Sequence, residues 1–146
     1  MRVEVIPSVM GGVLPQTLLK LSQTHPQLMI ELSSGLSAKL VSEVNKGVLD
    51  AAIVTEPAQL GRGKSWHAFA EEPLVLIAPQ DAQGEVDTEL LDRYPFIQFQ
   101  ADTYAGQQII TLLQDRGIKV EPLMKLDSLD SIAKMVASGL GISIVP

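Results

Sequence analysis

The sequence predicts an α/β fold made of two lobes, and three patterns carry this prediction. Two successive strand–helix–strand units with short links lie within residues 3–54, and such units imply a parallel sheet with right-handed crossovers. The stretch Lys46–Val54 closes the second unit, because a glycine ends a helix there and a short apolar strand follows. After a polar, turn-like stretch at Pro79–Val86 the alternation of helices and strands starts again. We therefore predict two α/β lobes, residues 1–75 and residues 76–146.

The first half is predicted to hold three strands and two long helices. The first helix carries leucines at helical spacing and ends at His25, because the residue before Pro26 avoids helical angles. Ser37 is the predicted N-cap of the second helix, and Gly47 is its stop. The third strand is almost wholly apolar, which is typical of a sheet covered on both faces. The predicted elements are strands at Val3–Pro7, Leu28–Leu32 and Leu49–Val54, a turn at Ser33–Gly35 and a surface loop at Glu56–Ser65.

The second half repeats the same alternation. Its longest helix is predicted to end at Gly117, and apolar strands of four to six residues separate the helices. The predicted strands are Leu74–Ala78, Phe96–Phe99, Glu121–Leu126 and Ile142–Val145, and the predicted helices are Thr88–Arg93, Ala105–Arg116 and Ser128–Ser138.

Composition excludes several classes of function. Hydrophobic residues make up 46% and charged residues 19%, which suits a folded core and argues against disorder. The net charge of −6, without clustered Lys and Arg, argues against nucleic-acid binding by this chain. The absence of cysteine excludes disulfides and thiol catalysis and is compatible with the cytoplasm, our expected location. No apolar run is long enough for a membrane span, and the abrupt start at Met1 predicts a boundary inside a longer protein.

Small polar side chains recur where the predicted parallel strands end. Ligands of open α/β sheets bind outside the carboxyl ends of the strands, so these positions are the candidate site. Exposed N–H groups at the helix starts there favour a small anion such as a carboxylate. Thr55, Glu56, Asp102 and Asp127 also follow strands. The residues that we select as candidate ligand contacts are Pro7, Ser8, Ser33, Ser34, Gln100, Thr103 and Ser128.

Each of these residues has a simpler interpretation, because Ser, Thr and Asp before helices are most often N-caps. Catalytic patterns are weak: His25 and His67 have no triad-like neighbours, and metal-binding spacings are absent from the sequence. Gly61–Lys64 lacks the spacing of a P-loop and is predicted to be a solvated turn. We therefore predict no catalytic residue, no metal and no cofactor.

Five motifs in register carry a resemblance to a known family. They are Pro7-Ser8 before Gly11-Gly12 and Leu14-Pro15; His25-Pro26 before Leu28–Leu32; Gly47–Val54; Glu72–Pro79; and Ser138–Pro146. In this order and spacing they resemble the effector-binding domain of LysR-type transcriptional regulators, over essentially the whole chain.

The resemblance implies two Rossmann-like lobes in a fold like that of the type II periplasmic binding proteins, with a small-molecule inducer in the cleft between them. It implies effector contacts from Ser8, Ser33 and Ser34 in the first lobe, and from Gln100–Thr103 and Ser128 in the second. It also implies homodimers or tetramers, with the helices Leu14–Thr24 and Ala105–Arg116 as dimer faces. DNA would be bound by a helix-turn-helix module that this chain does not contain.

Three functions are compatible with this fold. The leading hypothesis is a ligand-sensing domain that modulates transcription by binding a small effector. The alternative is a solute-binding protein of a transport system, which shares the fold but begins with a signal peptide. An enzyme on the same scaffold is disfavoured by the lack of an acid–base or nucleophile pattern. The sequence also ends at Pro146, where the family continues with a return to the first lobe, so we expect both lobes to be incomplete.

Overall fold

The computed structural model describes residues 1–57, 60–83 and 87–146. Contacts between Cα atoms divide the chain into two compact units, Met1–Ala70 and Glu71–Pro146. Each unit contains parallel strands joined by helices, so the predicted α/β class is confirmed for both halves.

The first unit is built on a parallel sheet of three strands. The central strand β1 (Arg2–Val5) pairs with β2 (Glu31–Ser34) on one side and with β3 (Ala51–Ile53) on the other. The connections contain a short helix α1 (Pro7–Gly11) and two longer helices, which are α2 (Leu14–Thr24) and α3 (Ser37–Asn45).

The main apolar cluster of the first unit lies on the face of this sheet that Val5 occupies. Val5 points from β1 toward the buried side chains Val9 and Leu14, which belong to α1 and α2. Val3, Leu32 and other partly buried apolar residues complete the cluster. Leu40 of α3 is fully buried as well. The leucine spacing of the first predicted helix thus marks its inner face, because Leu14 is buried and Leu18 packs against the same cluster.

In the described part of the second unit there are four strands and three helices. β5 (Phe96–Phe99) pairs in parallel with β6 (Pro122–Leu126), and β4 (Val75–Ile77) pairs antiparallel with β7 (Ser143–Val145). A parallel bridge between Phe96 and Ile142 joins the two pairs. The helices are α4 (Asp87–Arg93), α5 (Tyr104–Asp115) and α6 (Leu129–Ala137).

The second unit has the larger core. Its buried side chains come from every helix and from β5 and β7, and they form one cluster: Leu91, Phe96, Ile97, Phe99, Ile109, Leu113, Ile132, Val136, Ile142, Ile144 and Val145. The buried hydroxyl of Ser143 donates a hydrogen bond of 2.7 Å to the carbonyl oxygen of Ile97, which ties β7 to β5 and satisfies a polar group inside the core. Gly141 is required beside this cluster, since a Cβ there would lie 2.2 Å from the carbonyl oxygen of Pro95.

Most element limits in the first unit differ from the predicted ones. The first strand ends before Pro7, because the fixed φ of proline suits the first turn of a helix, and α1 begins there. The predicted strand Leu28–Leu32 is wrong in its limits: pairing with β1 sets the strand at Glu31–Ser34, so Ser33 and Ser34 belong to the strand and not to a turn. β3 is covered only in part, since Ala51 is exposed.

Helix ends were predicted more closely. Gly47 and Gly117 adopt φ values of +73° and +65° after α3 and α5, where a left-handed residue ends a helix and glycine has no Cβ to clash. His25 is the C-cap of α2, as predicted. Ser37 is not an N-cap: Leu36 holds that position without a side-chain hydrogen bond, and Ser37 is the first residue of α3.

The predicted loops are described only in part. Gly61–Lys64 is a turn, as predicted, closed by a hydrogen bond of 3.2 Å from the Lys64 amide to the carbonyl oxygen of Gly61. Residues 58–59 of the predicted loop Glu56–Ser65, and residues 84–86 of the predicted turn Pro79–Val86, lie outside the described residues.

Candidate functional site

The carboxyl ends of β1 and β2 bring four of the candidate residues to one edge of the first sheet. Pro7 and Ser8 form the first turn of α1, directly after β1, and Ser33 and Ser34 are the last residues of β2. The ladder continues to this edge, because the Gly35 amide donates a hydrogen bond of 3.1 Å to the carbonyl oxygen of Val5. The sheet register therefore explains why residues 25 positions apart in sequence meet here.

Ser33 and Ser34 point to opposite faces of the sheet. In the ladder with β1, Ser33 lies opposite Glu4 and Ser34 lies opposite Val5, and neighbouring strand residues alternate between faces. Both serines are exposed. A ligand on one face of the sheet therefore meets the side chain of only one of them directly.

A contact at the end of β3 was missed in the sequence. The Thr55 amide donates a hydrogen bond of 3.3 Å to Oγ of Ser37, which joins the exit of β3 to the start of α3. In the sequence, the position of Ser37 near a helix start predicts an N-cap. It does not predict a hydrogen bond to a residue 18 positions away.

In the second unit, the turn after β5 is closed by Thr103. The Thr103 hydroxyl accepts a hydrogen bond of 2.9 Å from the Gly106 amide, as an N-cap of α5, and donates one of 2.8 Å to the carbonyl oxygen of Gln100. The Gln100 amide in turn donates to the carbonyl oxygen of Leu126, 2.9 Å away, which extends the pairing with β6. The candidate residues Gln100 and Thr103 thus lie in one turn, which these hydrogen bonds hold in place.

Two further contacts hold this turn against α5. A Cβ on Gly106 would lie 1.9 Å from the carbonyl oxygen of Gln100, so the close approach of the turn depends on glycine. The side-chain amide of Gln107 donates to the carbonyl oxygen of Ala101. The turn is therefore preformed, and two of its carbonyl oxygens already have donors.

Ser128 occupies the equivalent place after β6. Its hydroxyl oxygen accepts a hydrogen bond of 3.2 Å from the Ser131 amide and is the N-cap of α6. The pairing of β5 with β6 brings this helix start beside the turn at Gln100. Both hydroxyl candidates of this unit are thus caps, the simpler of the two interpretations.

Among the described residues, the carboxylate whose pKa is displaced lies away from these strand ends. Asp50 precedes β3, and its Oδ2 accepts a hydrogen bond of 2.6 Å from the Arg2 amide. This backbone hydrogen bond, aided by the Arg2 guanidinium, lowers the pKa of Asp50 below its ordinary value. Asp50 and Arg2 lie at the amino ends of β3 and β1. The lowered pKa of Asp50 therefore results from a structural contact between these two strands, and it does not mark a reactive group.

A small cavity of the second unit also lies apart from the candidate residues. It measures about 100 Å³, and its walls are mainly leucine and isoleucine side chains of β4, α4, α5 and β7. Asp87 and Arg116 are the charged residues that line it. None of the seven candidate residues contributes to its walls.

Within the described ranges, no three His, Cys, Asp or Glu side chains are grouped to hold a metal ion. The part of the chain that the structure describes also has no helix with the length and apolarity needed to cross a membrane.

The sequence of the chain matches one known protein family over its whole length. A family model described as the LysR substrate binding domain matches residues 1–146, the whole chain. The chain belongs to this family. One curated relative is the HTH-type transcriptional regulator YwbI of Bacillus subtilis (strain 168). It is 25% identical over 148 residues, which cover 99% of this chain and 49% of the relative.

A second relative is a probable hydrogen peroxide-inducible genes activator of Mycobacterium avium. It is 24% identical over 151 residues, which cover 100% of this chain and 48% of the relative. This LysR substrate-binding domain therefore spans about half the length of the curated relatives it matches.

Solved structures confirm the predicted fold class, which is that of the type II periplasmic binding proteins. The CcmR regulatory domain of Synechocystis PCC6803, solved in complex with 2-PG, matches with a TM-score of 0.82 and 23% identity over 99% of this chain and 71% of that one. The effector-binding domain of QuiR, solved in complex with shikimate, matches with a TM-score of 0.77 and 14% identity over 100% of this chain and 72% of that one. At such identities the likeness establishes the fold of this LysR substrate-binding domain.

Proposed function

We propose that this chain is the effector-binding part of a cytoplasmic transcriptional regulator, and that it binds a small molecule without transforming it. The observation that carries the proposal is the match of the LysR substrate-binding model to all 146 residues. The relatives named as transcriptional regulators favour this function over solute binding for transport. DNA binding would belong to a separate helix-turn-helix module of the full-length protein.

The proposed effector contacts are the polar groups at the strand ends of each unit. In the first unit these are Pro7, Ser8 and whichever of Ser33 and Ser34 faces the ligand. In the second unit they are Gln100, Thr103 and Ser128. Support comes from their positions: each follows a parallel strand or ends one, where ligands of open α/β sheets bind.

A thermal-shift screen with a library of metabolites tests the proposal. At least one compound is expected to raise the melting temperature in a saturable way, because a ligand that binds only the folded state stabilises it by mass action. Ser33→Ala and Ser34→Ala are the paired variants, since the two side chains face opposite ways and only one substitution should weaken the response. A folded protein that responds to no compound contradicts the proposal.

We also propose that the chain forms homodimers through α2 and α5. Val13, just before α2, and Leu19 within it are 55% and 62% exposed, which leaves apolar surface at this helix for a partner to cover. Sedimentation of the wild type and of Leu19→Glu tests this. The wild type should sediment as a dimer and the variant as a monomer, whereas a monomeric wild type at tens of micromolar excludes the interface.

A further inference from the structure

The cavity of the second unit extends from the surface to the buried apolar cluster of that unit. Its least exposed lining residues are Leu91, Leu113 and Ile144, which are 8%, 6% and 5% exposed and belong to the cluster. A ligand that enters the cavity would therefore bury apolar atoms against the core. The other apolar walls are half-buried side chains, namely Leu74, Leu76, Leu112 and Ile118.

Two helices each bring one charged residue to this cavity. Asp87 lies one turn before Leu91 in α4, and residues four positions apart share a face of a helix. In the same way Arg116, the C-cap of α5, lies one turn after Leu112. Both charged residues are exposed. The opening of the cavity therefore carries a carboxylate from one helix and a guanidinium from the other.

These two charges are not neutralised by their neighbours. Within the described ranges, neither Asp87 nor Arg116 forms an ion pair, with the other or with a third residue. A ligand that carries both an ammonium and a carboxylate group can meet an opposite charge at each of them. A simple acid would instead face the like charge of Asp87, and a simple amine that of Arg116.

The size of the cavity limits the apolar part of a ligand. Its volume is about 100 Å³. An engineered apolar cavity of about 150 Å³ in another protein is large enough to bind benzene. The cavity of the second unit therefore suits an aliphatic group of a few carbon atoms better than an aromatic ring.

We propose that this cavity is a second ligand site, and that it binds an aliphatic α-amino acid. The aliphatic side chain occupies the cavity, the carboxylate pairs with Arg116 and the ammonium group pairs with Asp87. None of the seven strand-end candidates lines the cavity, so this site is separate from the proposed effector contacts.

Leucine is the probe for this site. In a titration of isotope-labelled protein with L-leucine at low salt, the amide signals of Leu76, Leu91, Leu113 and Ile144 should shift in a saturable way. Alanine keeps both charged groups but lacks three carbons of the side chain. It should bind roughly 10- to 60-fold more weakly, because each buried carbon contributes about a factor of four to the affinity.

Two analogues of leucine test the charged groups one at a time. 4-Methylpentanoate lacks the ammonium group and 3-methylbutylamine lacks the carboxylate, whereas both keep the branched chain. Each should bind roughly two- to fivefold more weakly than leucine, which is the effect of losing one exposed ion pair.

Substitutions at the opening assign each charge to its partner. Arg116→Gln should weaken leucine and 4-methylpentanoate roughly two- to fivefold and leave 3-methylbutylamine unaffected. Asp87→Asn should weaken leucine and 3-methylbutylamine and leave 4-methylpentanoate unaffected. Lys119→Gln and Asp92→Asn are the matched controls, because they change the net charge equally at exposed residues that do not line the cavity. Both controls should bind leucine like the wild type.

Three results would overturn this second site. One is a folded protein whose cavity signals do not shift with leucine at about 20 mM, far above the range in which most specific sites saturate. Another is equal binding of leucine and its two analogues, or equal weakening in the control variants. The third is a set of leucine shifts confined to Ser8, Thr103 and Ser128, which would support the proposed effector site instead.

The positions of the shifted signals separate this site from the proposed function. A ligand in either place raises the melting temperature, so the thermal-shift screen alone does not distinguish them. Leucine shifts at the cavity support the second site even if no compound shifts the strand ends, a result that would contradict effector binding there.

Discussion

At the scale of single residues, Gly106 shows how one missing side chain shapes the candidate site. Alanine normally stabilises a helix by about 1 kcal/mol relative to glycine. Here the added Cβ would lie 1.9 Å from the carbonyl oxygen of Gln100, and the backbone of the turn must move to relieve the clash. We predict that Gly106→Ala lowers the free energy of unfolding by about 1–3 kcal/mol, in the range of overpacked cores, as measured by urea titration of amide signals from the second unit.

Gly11→Ala is the control for this substitution. A Cβ on Gly11 meets no atom within 4 Å, and the residue is the last of helix α1. Its unfolding midpoint should equal or slightly exceed that of the wild type. A Gly106→Ala protein as stable as the wild type would show that the turn after β5 can move away from α5 at little cost.

Asp50 gives the first unit a dependence on pH. Its pKa is lowered in the folded state, first by the Arg2 amide, so the stabilisation is fully present above the unfolded pKa of about 3.9 and is lost as the pH falls through the folded pKa. We predict that Asp50→Asn destabilises the protein near pH 7 and that the difference from the wild type shrinks below about pH 4. Urea titrations between pH 7 and pH 2.5 measure it.

Arg2→Met separates the two contributions to this effect. The variant loses the guanidinium, whose Nη2 lies 3.6 Å from Oδ1 of Asp50, but it keeps the backbone amide that makes the stronger hydrogen bond. Most of the dependence on pH should remain. If Arg2→Met abolishes it, the ion pair and not the backbone hydrogen bond holds the carboxylate in its charged form.

At the scale of elements, α5 depends on its N-cap. The Thr103 hydroxyl satisfies the Gly106 amide and also bonds the turn through Gln100, so both the helix and the turn lose a partner when it is removed. Thr103→Val should cost about 1–2 kcal/mol of unfolding free energy, the usual range for a lost cap. Thr103→Ser keeps the hydroxyl and should restore most of it. A Thr103→Val protein as stable as the wild type would exclude capping as a contribution, because valine keeps the γ-methyl group and lacks only the hydroxyl.

Elements with a strong local signal could be predicted from the sequence. β5 was predicted at its observed limits, Phe96–Phe99, because an apolar run is bounded there by Pro95 and polar residues. Gly47 and Gly117 marked helix ends correctly, since the left-handed conformation that ends a helix favours glycine in any context. These features need only their neighbours in sequence.

Features set by distant partners could not be predicted. The position of β2 follows from its pairing with β1, and the bond between Ser37 and the Thr55 amide joins two separate elements. The helix α1 was missed because Pro7 ends a strand as readily as it begins a helix. The candidate positions at strand ends followed from the alternation of elements, but which face each serine occupies depends on the register.

At the scale of the whole molecule, the two units differ in the size of their cores. Among the described residues, the main cluster of the second unit contains eleven buried side chains and that of the first contains three, so burial stabilises the second unit more. We predict that the first unit unfolds at a lower urea concentration. Fluorescence of Trp66, the single tryptophan, reports the first unit, and amide signals of α5 and α6 report the second. Coincident midpoints would show that both units unfold as one cooperative body.

The central claim is that a small effector binds at the strand ends of this LysR substrate-binding domain. Amide chemical-shift mapping during titration with the most stabilising compound from the metabolite screen tests it most directly. The account predicts saturable shifts concentrated at Ser8, Ser33, Ser34, Gln100, Thr103 and Ser128, with little change along the outer face of α2. Saturable shifts confined to other regions, such as the cavity beside Leu112 and Arg116, would contradict it.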